Sequence, residues 1–293
     1  MNTSVFRLFN LADINCGKYT SGVYSGMYYI EMGTAPQSYA GTATAEDDYI
    51  SAMAIVPSKT WIDGGVYYTD TNNPNIQYVL KNSKYYLVEP IRWIIIADEN
   101  YTGTGGTLGI DYFSNTTIKT SSPNDKAILT GLEGRQIVVM SERLLTNFSF
   151  YKTLSNYVSQ MNSLRDKIIT STEKTYLKNV TLTTQIGYNN NGTTYSQDFW
   201  LMAGYSTSSE NFHVSNYLTT TTKRQASNTA YLANATTNPT ESSDWGTRSY
   251  FYTGNSQNSY IDTFGSSVYG SYSGTDYYPS RGIRPAFIIN LDI

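Results

Sequence analysis

From Tyr85 to Asp98 the chain reads YYLVEPIRWIIIAD, its strongest strand signal. Tyr86, Val88, Ile91, Trp93 and Ile95 alternate around Pro90, and the segment then becomes continuously apolar. Strands that face water on one side alternate, whereas an unbroken β-branched run is expected of a strand buried on both faces. Such a strand demands a covered sheet, so the rest of the chain has to supply neighbouring strands and covering layers. Pro90 cannot donate to a ladder and predicts a bulge or an edge position at the start. QIVVMS, from Gln136 to Ser141, predicts a second core strand. The closing GIRPAFIINLDI predicts a terminal strand, expected beside Ile91 to Ile96.

A domain boundary is placed near Ser83, dividing the chain into residues 1–83 and 84–293. In the first part, GVYSGMYYIEM and GGVYYTD are strand-like pieces between Gly, Pro, Asn and Thr clusters, so this part is read as β-rich. Ala43 to Val56 opens with acidic residues and closes with apolar ones, which predicts a short helix. In the second part, Leu154, Tyr157, Val158, Met161, Leu164 and Ile168 recur at three- and four-residue steps. That spacing predicts a helix over Tyr151 to Ile168 with one apolar face. A second, short helix is expected from Ser171 to Lys178.

Several function classes fall away on composition. Only 15% of residues are charged and the net charge is -3, so the basic footprint of a nucleic-acid binder is missing. The apolar run Ile94 to Ala97 is far too short to cross a bilayer, and Met1 to Leu11 lacks the apolar core of a signal peptide. A soluble chain without membrane insertion is expected. The single cysteine, Cys16, rules out an intrachain disulfide and any multi-cysteine zinc site. The single histidine, His213, sits in NFHVS without a nucleophile elbow and is read as a packing or surface residue. GTGGTLG after the first strand lacks both the dinucleotide spacing and the Lys-Ser/Thr of a phosphate loop.

What remains is a polar, aromatic ending. Between Trp245 and Arg281 the charged residues are Arg248, Asp262 and Asp276, and the rest is crowded with Tyr, Ser, Gly, Asn and Thr. Binding surfaces use that composition: Tyr gives a large amphipathic contact at low entropic cost, and Ser, Gly and Asn give adaptable hydrogen bonding.

Several fragments line up, in order, with a known family. They are VEPIRW (Val88 to Trp93), VVMS (Val138 to Ser141), the helix around Ser155 to Leu164, DFWLM (Asp198 to Met202), DWGTRS (Asp244 to Ser249) and GIRPAF (Gly282 to Phe287). Over roughly Lys84 to Ile293 the chain resembles domain-of-unknown-function family 6273 of bacteria and phages, which is related to the C-type-lectin-like fold. Its W-W-L-R-S element has lost one Trp and its Leu here. The resemblance implies an α+β, C-type-lectin-like domain with paired terminal strands, one or two helices and long display loops, preceded by the β-rich N-terminal region. It implies that Trp93 and Phe287 sit on paired core strands. Trp245, Arg248, Arg284 and Pro285 would then tie the display loop to the sheet, with Glu89 or Asp244 as charge partners for the arginines.

The resemblance and the composition together lead to a non-enzymatic recognition protein on a phage virion, or alternatively at a cell surface. It would contact a host cell-surface glycan or protein through Tyr250, Phe251, Tyr252, Asn255, Asn258, Tyr260, Tyr269, Tyr272, Tyr277 and Tyr278. Residues 1–83 would attach it to other virion proteins or form a homo-oligomer, whose avidity offsets weak single-site binding. A structural virion or cell-surface protein using the same surface for assembly is the alternative. A polysaccharide hydrolase would need a carboxylate pair such as Asp198 with Glu210 or Asp262 with Asp276. No E-P-N, W-N-D or EF-hand-like pattern occurs, so no metal and no cofactor are expected.

Overall fold

Strand β6 (Lys84–Asp98) is the spine of the molecule. One of its edges pairs with β2 (Tyr28–Thr42) from Lys84 to Ile94. Its other edge is shared: β5 (Gln77–Lys81) takes Lys84 to Leu87, and β7 (Gln136–Ser141) takes Trp93 to Asp98. Beyond β5 lie β4 (Val66–Asp70) and β3 (Met53–Thr60); beyond β7 lie β17 (Pro285–Asn290) and β12 (Trp200–Leu201). β1 (Asn15–Lys18) pairs with β2, and β9 (Leu177–Lys178) with β17, while β10 (Val180–Thr184) and β11 (Thr193–Gln197) pair antiparallel as a separate two-stranded sheet. The protein is mostly β-sheet with few helices, built on this curled antiparallel sheet. The computed structural model describes residues 15–42, 52–98, 136–149, 154–184, 193–204, 212–218, 220–252, 256–264, 266–271 and 280–290.

The continuous apolar run in β6 has its physical reason in this arrangement. Trp93, Ile94, Ile95 and Ile96 are all buried, as is every residue of β7, so neither face of the sheet meets water there. The Trp93 ring meets Phe287 at 4.6 Å and Phe199 at 5.9 Å between centroids. Its register partner on the intervening strand is Ser141, small enough to leave that space open.

Helix α1 (Leu154–Ile168) buries Tyr157, Met161, Leu164 and Ile168, four of the residues whose spacing predicts it. Its end abuts Gly33, where β2 carries an extra residue against β6 between Glu31 and Thr34. Gly33 has φ +63°, and a Cβ there would stand 2.7 Å from the Ile168 carbonyl oxygen. Helix α2 (Ser171–Lys174) starts with a capping box: the Thr170 hydroxyl accepts from Glu173 N, and Glu173 Oε2 accepts from Thr170 N at 2.8 Å. Glu173 Oε1 also accepts from Gly33 N at 2.7 Å, so one carboxylate fastens helix start to strand bulge.

Four expectations are corrected. The terminal strand β17 pairs with β7, not with Ile91 to Ile96, because QIVVMS is buried on both faces and takes the place between them. The helix expected over Ala43 to Val56 gives way from Met53 onward to strand β3; Met53, Ala54 and Ile55 pair with Asp70, Thr69 and Tyr68, and Pro57 cannot continue a helix. Residues 43–51 lie outside the described residues. The helix from Ser171 ends at Lys174, since Leu177 and Lys178 are drawn into pairing with β17. The bulge expected at Pro90 lies across the ladder in β2, with Pro90 opposite Thr34.

Ser83 itself falls in a two-residue hairpin turn. Asn82 and Ser83 have φ +47° and +60° between the paired Lys81 and Lys84, the positive values such a turn requires. The main sheet runs straight across this point.

Candidate functional site

A second, smaller sheet carries the Tyr-rich segment. Its order is β15 (Ser267–Ser271), β14 (Ser256–Ile261), β13 (Trp245–Tyr252), β16 (Ser280–Ile283) and β8 (Thr146–Ser149). β13, β14 and β15 form an antiparallel meander, and β16 returns to pair with β8 and, in parallel at Trp245 and Gly282, with β13.

Both ends of the segment are locked into the core. Trp245 is buried, and its Nε1 donates to the Arg224 carbonyl at 3.0 Å. Arg248 is buried, with its guanidinium donating to the Leu201 carbonyl at 2.7 Å and its backbone N to the Met202 carbonyl at 3.0 Å. Arg284 is fully buried and donates from Nε to Ser141 O at 2.9 Å, from one terminal nitrogen to Arg224 O at 3.1 Å and from the other to Tyr24 Oη at 2.8 Å. Its guanidinium lies over Trp245, 5.4 Å from the ring centroid. Pro285 and Phe287 are buried in β17.

The expected charge partners are corrected here. Arg284 is satisfied by neutral acceptors and ring faces, while Asp244 pairs with Arg281 at 2.8 Å and Glu89 accepts from Ser38 N. Two carbonyls and a phenol spare the fold the second desolvation that a buried carboxylate would add. Gly282 is required by close approach, since a Cβ would fall 2.3 Å from Leu144 Cδ1.

Of the candidate contact residues, Tyr250, Phe251 and Tyr252 lie on β13, Asn258 and Tyr260 on β14, and Tyr269 on β15. The register sets Tyr250 opposite Asn258, Tyr260 opposite Val268 and Tyr269 opposite Ser259, so these positions share one meander. Asn255, Tyr272, Tyr277 and Tyr278 lie outside the described residues.

One residue was missed by sequence reasoning. Phe264, at the turn between β14 and β15, is 74% exposed. Asp262 Oδ1 accepts from Phe264 N at 3.0 Å and from Ser266 N at 2.8 Å, and Gln225 holds the Thr263 carbonyl at 3.1 Å. The ring therefore projects from a fastened turn. An Asp followed by a Gly three residues later was the available signal, because Asp side chains close such turns on the backbone.

Asp262 is occupied in closing the turn, and both Asp198 oxygens accept from Arg165 at 2.6 and 2.8 Å. Glu210 and Asp276 lie outside the described residues. His213 is buried where the chain enters the short helix Val214–Tyr217. Burial pushes the Cys16 thiol up, away from the thiolate that reactivity needs. Among the described residues no His, Cys, Asp and Glu group is placed to hold a metal ion, and no helix is long and apolar enough to cross a membrane.

The geometry defines a class: a mostly β scaffold that holds a polar, aromatic meander by buried Trp and Arg anchors. No family model, no curated protein and no solved structure matches the chain.

Proposed function

We propose that this is a non-enzymatic surface-recognition protein, a phage virion component of the receptor-binding or decoration kind, in which residues 84–293 have a C-type-lectin-like arrangement that shares its main sheet with residues 1–83. It contacts a host cell-surface glycan or protein through the segment from Tyr250 to Ser280. The observation that carries this reading is the double anchoring of that segment, with Trp245 and Arg248 buried before it and Ile283 and Arg284 buried after it. Recognition needs contact groups on a support that does not move, and the meander hangs from such a support. Phe264 adds an exposed aromatic on a hydrogen-bonded turn, and aromatic residues are enriched at the centre of binding interfaces. The C-type-lectin-like assignment is supported by β6 and β17 lying in one sheet, by the long helix α1 and by a separate smaller sheet bearing the segment.

The test is adsorption. Purified protein should bind host cells and block phage attachment, and a variant with Tyr252, Tyr260 and Tyr272 changed to Ala should do neither while melting normally. A triple variant that binds as well as the parent overturns the assignment of the site. Failure of the parent to bind any host surface or glycan overturns the receptor reading in favour of an assembly role.

A further inference from the structure

The turn that carries Phe264 lies at the scaffold end of the Tyr-rich meander. Trp245, the first residue of β13, pairs with Ile261, the last of β14, and the turn into β15 follows at once. Trp245 Nε1 rests on the Arg224 carbonyl at 3.0 Å, which brings the next residue, Gln225, within reach of that turn. Gln225 Nε2 donates to the Thr263 carbonyl at 3.1 Å.

The other hydrogen bonds of the turn are internal. Asp262 N donates to Ser266 O at 3.0 Å, and Asp262 Oδ1 accepts from Phe264 N and Ser266 N. Such bonds give a turn its shape without fixing it to anything else. Apart from the strand ladder, the Gln225–Thr263 bond is the one that ties this turn to the scaffold among the described residues.

Gln225 is itself held on both sides. Its backbone N donates to Thr221 O and Thr222 O at 3.2 and 3.3 Å, where the short helix Thr221–Arg224 ends. Its carbonyl accepts from the buried Tyr24 Oη at 2.9 Å, and Tyr24 accepts in turn from Arg284 at 2.8 Å. The N-terminal region therefore fixes the backbone of the residue whose side chain fixes the turn. A contact group placed to within a fraction of an ångström needs a supporting residue that is locked in this way.

We propose that Gln225 is a positioning residue of the recognition surface, holding the β14–β15 turn, and with it Phe264, against the scaffold. The proposal rests on the reading of the Tyr-rich segment as the contact surface. Gln225 acts through the turn and touches no partner. Without its bond the turn stays closed but is no longer located, and ordering it again on contact weakens binding.

Two variants of the full chain and two readouts test this. Gln225→Glu matches the parent residue in size but has no donor for Thr263 O, whereas Gln225→Lys restores a donor of similar reach. Both should melt with the parent, because the bond lies on the exposed surface. By nuclear magnetic resonance relaxation, the order parameter of the Phe264 amide should be about 0.85 in the parent, fall toward about 0.6 in Gln225→Glu and recover in Gln225→Lys. Adsorption to host cells should weaken about threefold to tenfold in Gln225→Glu, the strength of one neutral hydrogen bond, and recover in Gln225→Lys. Unchanged order in Gln225→Glu, or lowered order with unchanged adsorption, overturns the proposal alone. So does a Gln225→Glu chain that melts well below the parent, which would make the residue a structural one. A parent that does not adsorb overturns the receptor reading, and the proposal with it.

Discussion

Arg284 and Tyr24 stand 260 residues apart in the chain, and the guanidinium donates to the phenol oxygen at 2.8 Å. The same guanidinium reaches the carbonyls of Ser141 and Arg224, so one buried side chain joins the N-terminal region, the end of β7 and the entrance to the small sheet. Removing the phenol oxygen strands a buried charged donor. Tyr24→Phe should lower unfolding free energy by about 1–3 kcal/mol, read as a shift in the urea midpoint at unchanged slope.

Shared edges predict mutual dependence of the two halves of the sequence. β6 loses β2 along one edge and β5 along part of the other if residues 1–83 are removed. A fragment beginning at Lys84 should therefore lack a cooperative thermal transition and should precipitate or bind hydrophobic dyes. A fragment with native-like melting would show that β6 and β7 suffice alone.

Gly33 predicts a large cost for a small change. Its φ of +63° and the 2.7 Å approach of the Ile168 carbonyl leave no room for a methyl group without moving helix from strand. Gly33→Ala should cost about 1–3 kcal/mol by chemical denaturation. A neutral outcome at this position would mean that α1 is free to shift on the sheet.

Asp63 predicts a pH dependence. Burial pushes its carboxyl up, but hydrogen bonds from Tyr231 and Lys81 and from the Gly65 N–H outweigh burial and hold it below the ordinary value. A carboxyl with a lowered folded pKa contributes stability that is present above its unfolded value, about 3.9, and is lost as pH falls through the folded one. Asp63→Asn should thus melt lower than the parent at pH 7, and the gap should close below about pH 4.

Phe264 separates display from folding. Its side chain is largely solvated, so Phe264→Ser should leave the melting temperature nearly unchanged. Adsorption to host cells should weaken by about tenfold if the ring is an anchor. Equal adsorption by the variant would move the contact elsewhere on the meander.

Legibility in the sequence followed the scale of the physics. Apolar periodicity is a local property, and it was enough for β6, β7, β17 and α1, where Trp93, Val139, Phe287 and Met161 are all buried. The order of strands is set by which long-range pairing wins, and nothing within Ile91 to Ile96 announced that β7 would stand between β6 and β17. Met53 to Val56 misled because an apolar run of four suits helix and strand alike, while the pairing of Met53 to Ile55 with β4 depends on residues downstream. The burial of Trp245, Arg248 and Arg284 was expected from the family resemblance, whereas their partners depend on where Arg224, Leu201 and Ser141 come to rest. Phe264 escaped because exposure of one aromatic is a property of the folded turn.

Trp245 and Arg284 donate to the same oxygen, the carbonyl of Arg224. The stretch between them therefore leaves and re-enters the scaffold through a single gate, and its closure does not depend on how many residues travel the circuit. Doubling the length of a flexible closed loop costs only about 0.6 kcal/mol. Sequence inserted between Tyr252 and Ser256, where β13 passes to β14, should be tolerated, making the far side of this gate a natural port for exchanging one specificity for another.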